Sequence, residues 1–206
     1  FASKLVRPSL DPVGLAEVCT FWGALPPRTA FLDVAALPPG HIGIYESGQI
    51  RVRKYWDWQF PDADEFYAGP IEKAVEELRD LFIDAVRLQL RADVPVGAYL
   101  SGGLDSSAVA AAIQRASSSS LKTFSVGFTD SEFDEREFQA EVAKHLSTEH
   151  EMLLIGAHDI GGALLRALVH VESPMVRTAG VPLMLLADRV REQGFKVVLT
   201  GEGADE

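Results

Sequence analysis

The stretch that most constrains this chain is Val96-Gly97-Ala98-Tyr99-Leu100-Ser101-Gly102-Gly103-Leu104-Asp105-Ser106-Ser107, an apolar run that stops in a Ser/Gly-rich turn and restarts as an alanine-rich segment. It reads as strand, anion-cradling loop and helix. Two adjacent glycines let the backbone turn sharply and come close to a ligand. The hydroxyls of Ser101, Ser106 and Ser107 and the amides of the helix start can all donate to phosphate oxygens. Asp105 inside such a loop asks for a cation accompanying the phosphate. The loop lacks the Gly-Lys-Ser/Thr ending of a Walker sequence, and its glycine spacing is not that of the dinucleotide fingerprint. A different nucleotide loop is implied.

The elements flanking that loop set the fold class. Ile71, Val75, Leu78, Phe82 and Ala85 recur at helical spacing and predict a helix from Ile71 to about Arg91, with Pro70 near its first turn and Glu72, Lys73, Glu76, Glu77, Arg79 and Asp80 on a solvated face. After the strand into the Ser/Gly loop comes a helix from about Ser107 to Arg115, and Ser117 to Ser120 make a polar connection. Lys122 to Phe128 reads as a second strand. Asp134, with Glu137 three residues on, is expected to cap a helix with Phe138, Val142 and Leu146 on its apolar side. Glu149 to Ile155 gives a third strand, Ile160 to Val171 and Pro182 to Glu192 two helices, and Lys196 to Thr200 a fourth strand. Alternation of strands with helix-length crossovers predicts an α/β fold with a doubly wound parallel sheet.

The region before it is different. Residues 1–60 hold much of the proline, including Asp11-Pro12, Pro26-Pro27 and Pro38-Pro39-Gly40, and are expected to be loop and strand. His41 to Tyr45 and Gln49 to Tyr55 alternate on either side of Glu46-Ser47-Gly48, as a β-hairpin with one apolar and one charged face should. Trp56 and Trp58 are expected to plug the seam with the next piece. Cys19 is expected to be a buried structural residue, since nothing in the sequence marks a partner base. Asp62, Asp64, Glu65 and Gly69-Pro70 mark a linker over 61–69, with the α/β part beginning at 70.

A net charge of -11 argues against a nucleic-acid footprint, which needs lysine and arginine. A lone cysteine and the lack of a spanning apolar run point to a cytoplasmic protein without a membrane partner. The five histidines, at 41, 145, 150, 158 and 170, show no metal-ligand spacing and read as structural or solvent-facing.

Ligands of doubly wound sheets bind beyond the carboxyl ends of the strands, where strand order reverses. Here Thr200 runs into Gly201-Glu202-Gly203-Ala204-Asp205-Glu206. If this strand neighbours the one ending at Leu100, the two loops face one crevice. Phosphate donors then come from the first loop and carboxylates from Asp105, Glu202 and Asp205, a set suited to Mg²⁺ on a polyphosphate.

These residues carry a resemblance. Ser101 to Ser107 resembles the pyrophosphate loop of the ATP-pyrophosphatase superfamily, and Leu199 to Glu206 is similar to the second signature of glutamine-dependent asparagine synthetases. Phe124-Ser125-Val126-Gly127-Phe128 and the Arg177 to Ala187 segment agree with that family. Phe1-Ala2-Ser3, Leu37-Pro38-Pro39-Gly40 and Tyr55-Trp56 resemble the end of its glutaminase domain, which makes residues 1–60 the β-rich remnant of an N-terminal-nucleophile domain. The resemblance implies ATP-dependent adenylation of the aspartate side-chain carboxylate, release of pyrophosphate, and attack by ammonia, with glutamine or ammonia as donor. It implies that Ser101, Gly102, Gly103, Asp105 and Ser106 hold the pyrophosphate. Tyr99, Leu100, Val126, Gly127, Thr200 and Gly201 would complete the ATP site, and Asp105 and Asp205 would reach Mg²⁺. Glu202 would sit by the reacting centre and Arg177 would bring positive charge to the triphosphate. A homodimer is compatible with it.

Family members begin with a cysteine that assists glutamine hydrolysis, and Cys19 is not in that position, so the chain reads as a fragment lacking both ends and inactive alone. Two other readings stay open: a β-lactam-forming synthetase on the same scaffold, and a non-catalytic nucleotide-binding or interaction module.

Overall fold

A computed structural model describes residues 7–62, 64–117 and 119–203. They fall into two compact units, one made by the chain up to Tyr67 with Leu168–Arg177, the other by Ala68–Ala167 with the chain from Thr178 onward.

In the first unit a helix appears where loop and strand were expected. Pro12–Phe21 forms α1, capped by Asp11, whose carboxylate accepts from the Val13 N–H at 3.0 Å. Pro12 takes the first helical position, where its fixed φ fits and its missing N–H costs no bond. Cys19 is exposed rather than buried, because the inward positions of this helix are Gly14 and Val18.

The hairpin forms as the alternation predicts, with β1 (His41–Glu46) antiparallel to β2 (Gln49–Lys54). Ser47 and Gly48 both take positive φ, 51° and 81°, as a tight hairpin turn requires. The register sets Gly43 against Val52 and Tyr45 against Ile50, an apolar face bounded by His41 and Lys54. Residues directly opposite share a face, so the other side, expected to be charged, is mixed: Ile42 faces Arg53 and Ile44 faces Arg51. Trp56 and Trp58 are 49% and 67% exposed, meet edge-on at 4.8 Å between ring centroids, and Trp58 stacks on Phe60.

The second unit opens with α2 (Ile71–Gln89), of which only Val86 is buried. Then come β3 (Val96–Tyr99), α3 (Leu104–Ala116), β4 (Lys122–Phe128), α4 (Arg136–His145), β5 (Glu149–Ile155), α5 (Ala157–Val171), α6 (Gly180–Glu192) and β6 (Val197–Leu199). Helix α3 starts three residues before the expected Ser107, so Asp105 and Ser106 lie inside its first turn. Asp134 is not the cap of α4. That position falls to Glu135, which makes no side-chain capping bond, while the Asp134 carboxylate, one residue earlier, accepts from the Arg136 backbone N–H at 3.3 Å and from the Arg136 Nε at 2.7 Å. Phe138 is exposed, and α4 turns Gln139 and Ala143 inward instead.

The four strands of this unit are parallel, in the order β5-β4-β3-β6. The chain moves outward from β3 through β4 to β5, then returns to the other side of β3, so the order reverses between β3 and β6. Both faces are covered. On one, Ala98 and Leu100 pack with Val109, Ala110 and Ile113 of α3 and Ala143 of α4. On the other, Phe124 packs with Leu186 and Val190 of α6. Full burial of a phenylalanine contributes about 2–3 kcal/mol of apolar transfer, which makes Phe124 an anchor of the second face. No helix among the described residues is long and apolar enough to cross a membrane.

Candidate functional site

The strands β3 and β6 are neighbours, paired through Val96↔Val197, Gly97↔Val198 and Ala98↔Leu199. Their carboxyl ends therefore release the two loops side by side, and both line a cleft of about 330 Å³. The fit is close. A Cβ on Gly201 would stand 2.7 Å from the Ser106 amide nitrogen and 2.8 Å from the Asp105 carbonyl carbon, so only glycine lets the second loop lie against the first turn of α3. Gly102 is constrained twice, by a φ of +87° and by α4, where a Cβ would stand 2.9 Å from the Gln139 nitrogen.

Serine hydroxyls shape the first loop. Ser106 Oγ accepts from the Ser101 N–H at 3.2 Å and lies 2.9 Å from Ser101 Oγ, which in turn accepts from the Gly103 N–H at 3.3 Å. Gly103 is the N-cap of α3 and supplies no side-chain acceptor. The first-turn amides, which have no intrahelical acceptor in any helix, thus remain as donors, with the positive end of the helix dipole behind them. Ser107 departs from expectation: its hydroxyl donates back to the Gly103 carbonyl at 2.6 Å, and it lines a separate groove against α4.

Of the residues singled out in the sequence, the cleft brings together Tyr99, Leu100, Ser101, Gly103, Asp105, Ser106, Val126, Thr200, Gly201 and Glu202. Gly102 braces the loop from behind, and Gly127 packs against the Arg136 side chain, where a Cβ would meet Arg136 Cδ at 2.8 Å. Arg177 belongs to the first unit, where its guanidinium lies 3.5 Å from the centroid of the Trp22 ring. Asp205 lies outside the described residues. Six lining residues escaped the sequence reading as site residues: Leu104, Phe124, Ser125, Leu183, Leu186 and Gly203. Phe124, Ser125 and Leu186 are buried positions whereas Leu104 and Leu183 are exposed, and it takes the packing of α6 on β4 to make Phe124, Leu183 and Leu186 a wall.

Electrostatically the cleft joins donors at the α3 terminus to two carboxylates, Asp105 and Glu202. Among the described residues no group of three or more His, Cys, Asp and Glu could hold a metal ion by itself. Partial burial raises the Tyr99 phenol above its ordinary pKa, so it stays neutral beside these charges.

A parallel α/β unit with an uncapped helix terminus, a serine-shaped glycine loop and a carboxylate loop at its switch point defines a class of anion-receiving, nucleotide-type sites. Residues 77–206, more than half of the chain, match the family model described as asparagine synthase, and the chain belongs to that family. It is 32% identical over 198 residues to a glutamine-hydrolyzing asparagine synthetase of Bacillus subtilis, covering 96% of this chain and 30% of that protein. It is 34% identical over 194 residues to the amidase chyE of Penicillium rubens, covering 87% and 29%. A putative asparagine synthetase of Methanocaldococcus jannaschii shares 34% over 164 residues, covering 79% and 31%. The chain thus spans about 30% of the length of these relatives.

Proposed function

We propose that the whole protein is a cytoplasmic asparagine synthetase that uses ATP and Mg²⁺ to adenylate the side-chain carboxylate of aspartate, releasing pyrophosphate, after which ammonia displaces AMP to give asparagine. The observation that carries this reading is the pairing of β3 with β6, which sets a phosphate-type loop and a carboxylate loop in one cleft. In it Ser101, Gly102, Gly103, Asp105 and Ser106 with the α3 amides hold the departing pyrophosphate, and donors fixed beforehand stabilise charge as it develops there. Tyr99, Leu100, Val126, Gly127, Thr200 and Gly201 take the adenosine side. Glu202 receives a proton from the attacking ammonia, and Arg177 supplies positive charge for the triphosphate.

The donor set fits Mg²⁺. This ion is commonly held by one or two carboxylates with substrate phosphates completing its octahedron, and the cleft offers Asp105, with Asp205 proposed as its companion. When bound, the ion would neutralise the leaving pyrophosphate. Residues 1–60 are proposed as the end of a glutaminase-like domain that delivers ammonia from glutamine, residues 61–69 as the linker, and a homodimer as the assembly.

The test supplies the complete protein with aspartate, ATP, Mg²⁺ and ammonia. Asparagine, AMP and pyrophosphate are expected; release of ADP and phosphate overturns the reading. The similarity to the Penicillium rubens amidase along most of the chain favours a second reading, the same adenylation serving another carboxylate and amine. Pyrophosphate release that ignores aspartate but responds to other carboxylic acids would select it.

A further inference from the structure

A chain of hydrogen bonds runs beneath the β4 wall of the cleft. Thr148 Oγ1 lies 2.9 Å from Thr123 Oγ1, which lies 2.9 Å from His150 Nδ1. His150 Nε2 lies 3.1 Å from Ser125 Oγ. Ser125 donates to Gln139 Oε1 at 2.8 Å, and Gln139 Nε2 donates to the Val126 carbonyl at 2.9 Å. Thr123, Ser125 and Gln139 are almost fully buried, and among the described residues no buried side-chain polar atom lacks a partner.

The donor inventory fixes the direction of this chain. Gln139 gives its amide hydrogen to Val126, so its oxygen takes the single Ser125 proton. His150 Nε2 must then carry the hydrogen that reaches Ser125. In a neutral ring Nδ1 is left to accept from Thr123, whose oxygen accepts from Thr148. Every hydroxyl is used once in one sense, and one imidazole tautomer satisfies them all.

The far end of the chain meets the cleft at a special place. The Leu100 N–H donates to the Phe124 carbonyl at 2.9 Å, which places the Phe124 backbone on the β3 side of β4. Backbone groups alternate sides along a strand, so Val126 also faces β3, but β3 has ended at Tyr99. The Val126 edge is therefore open where it lines the cleft, with Gln139 fixing its carbonyl.

We infer that Gln139, Ser125 and His150 are positioning residues that set the Val126 edge for nucleotide binding, His150 donating from Nε2 to Ser125. The inference rests on the nucleotide reading of the cleft. A proton added at Nδ1 would turn the Thr123 hydroxyl toward Thr148 and leave the donation from Nε2 in place. Burial, and then the charge of Lys122, hold His150 below the ordinary value of 6.5, so the neutral form is kept in the folded protein. Around it, Lys122 of β4 and Glu151 of β5 pair with each other at 3.4 Å, and Glu151 also binds Arg189 of α6. Glu149 adjoins it on β5, and α4 turns only uncharged Gln139 and Ala143 inward, its Arg136 being tied to Asp134.

The experiment measures Mg-ATP affinity of the complete protein by calorimetry. Gln139→Leu is expected to weaken binding about tenfold, since a buried carbonyl loses its donor. His150→Gln keeps an amide donor for Ser125 without an ionisable ring, so it should bind like wild type at neutral pH. His150→Leu removes that donor and should weaken binding several-fold, so the two His150 variants separate the hydrogen bond from the mere presence of a side chain. Unchanged affinity in a folded Gln139→Leu, or equal affinities of His150→Leu and His150→Gln, overturns the inference while leaving nucleotide binding in place. If Gln139→Leu does not fold, the comparison of the two His150 variants decides. If wild type binds no ATP at any pH, the nucleotide reading fails and the relay with it.

Discussion

The chain contains two sheets that obey different rules. The parallel sheet of the second unit is covered on both faces, with Phe124 and Ala98 fully buried, whereas every residue of the hairpin except His41 is exposed. In the first case the strand at the switch point, β3, is an uncharged run with a neighbour on each side, and its burial does not depend on which residue it faces. In the second, a side chain's surroundings are decided by register, and register is decided by the Ser47-Gly48 turn. The difference teaches where chemistry can be held. Loops released from the ends of a sheet packed on both sides inherit its rigidity, and the candidate site sits at those ends.

Four substitutions test that contrast. The largest effect belongs to Phe124→Ala, which should remove about 3–5 kcal/mol from the second unit in chemical denaturation; a loss no larger than that of a hairpin substitution would erase the distinction between the sheets. Glu202→Gln should come next, lowering kcat of the complete protein in the proposed reaction about a hundredfold with little change in KM for ATP, as expected of a group that handles a proton. Gly201→Ala places a methyl against the Ser106 nitrogen and should weaken ATP binding about tenfold by pushing the loops apart, seen in calorimetry. Ile44→Thr on the exposed hairpin should change stability by less than about 0.5 kcal/mol in the same denaturation assay.

Most of the α/β part was legible because its signals are local. The span Lys122 to Phe128 and the span Glu149 to Ile155 appear as predicted, and the adjacency of the two signature loops agrees with the pattern of crossovers. The start of α3 was read late because Leu104, 84% exposed, gives no burial signal, and Asp105-Ser106 resembles a loop in composition. Helix α1 was missed because its proline was weighed as a breaker, although Asp11-Pro12 is also how a helix begins. The Thr123–His150–Ser125–Gln139 chain could not be read at all. It joins β4, β5 and α4 across separations of 14 to 27 residues, and His150 looks like any other histidine until those elements are packed.

One consequence lies in the unequal lengths of β3 and β4. β3 stops at Tyr99, opposite Phe124, while β4 continues to Phe128. The sheet is left unfinished on that side by a step that a planar molecule, carrying donors and acceptors along one edge, can make up. A nucleotide base seated there would act as a surrogate strand, and its arrival should appear as slowed hydrogen exchange at the Val126 amide, the same protection that a covalent neighbour in the ladder would confer.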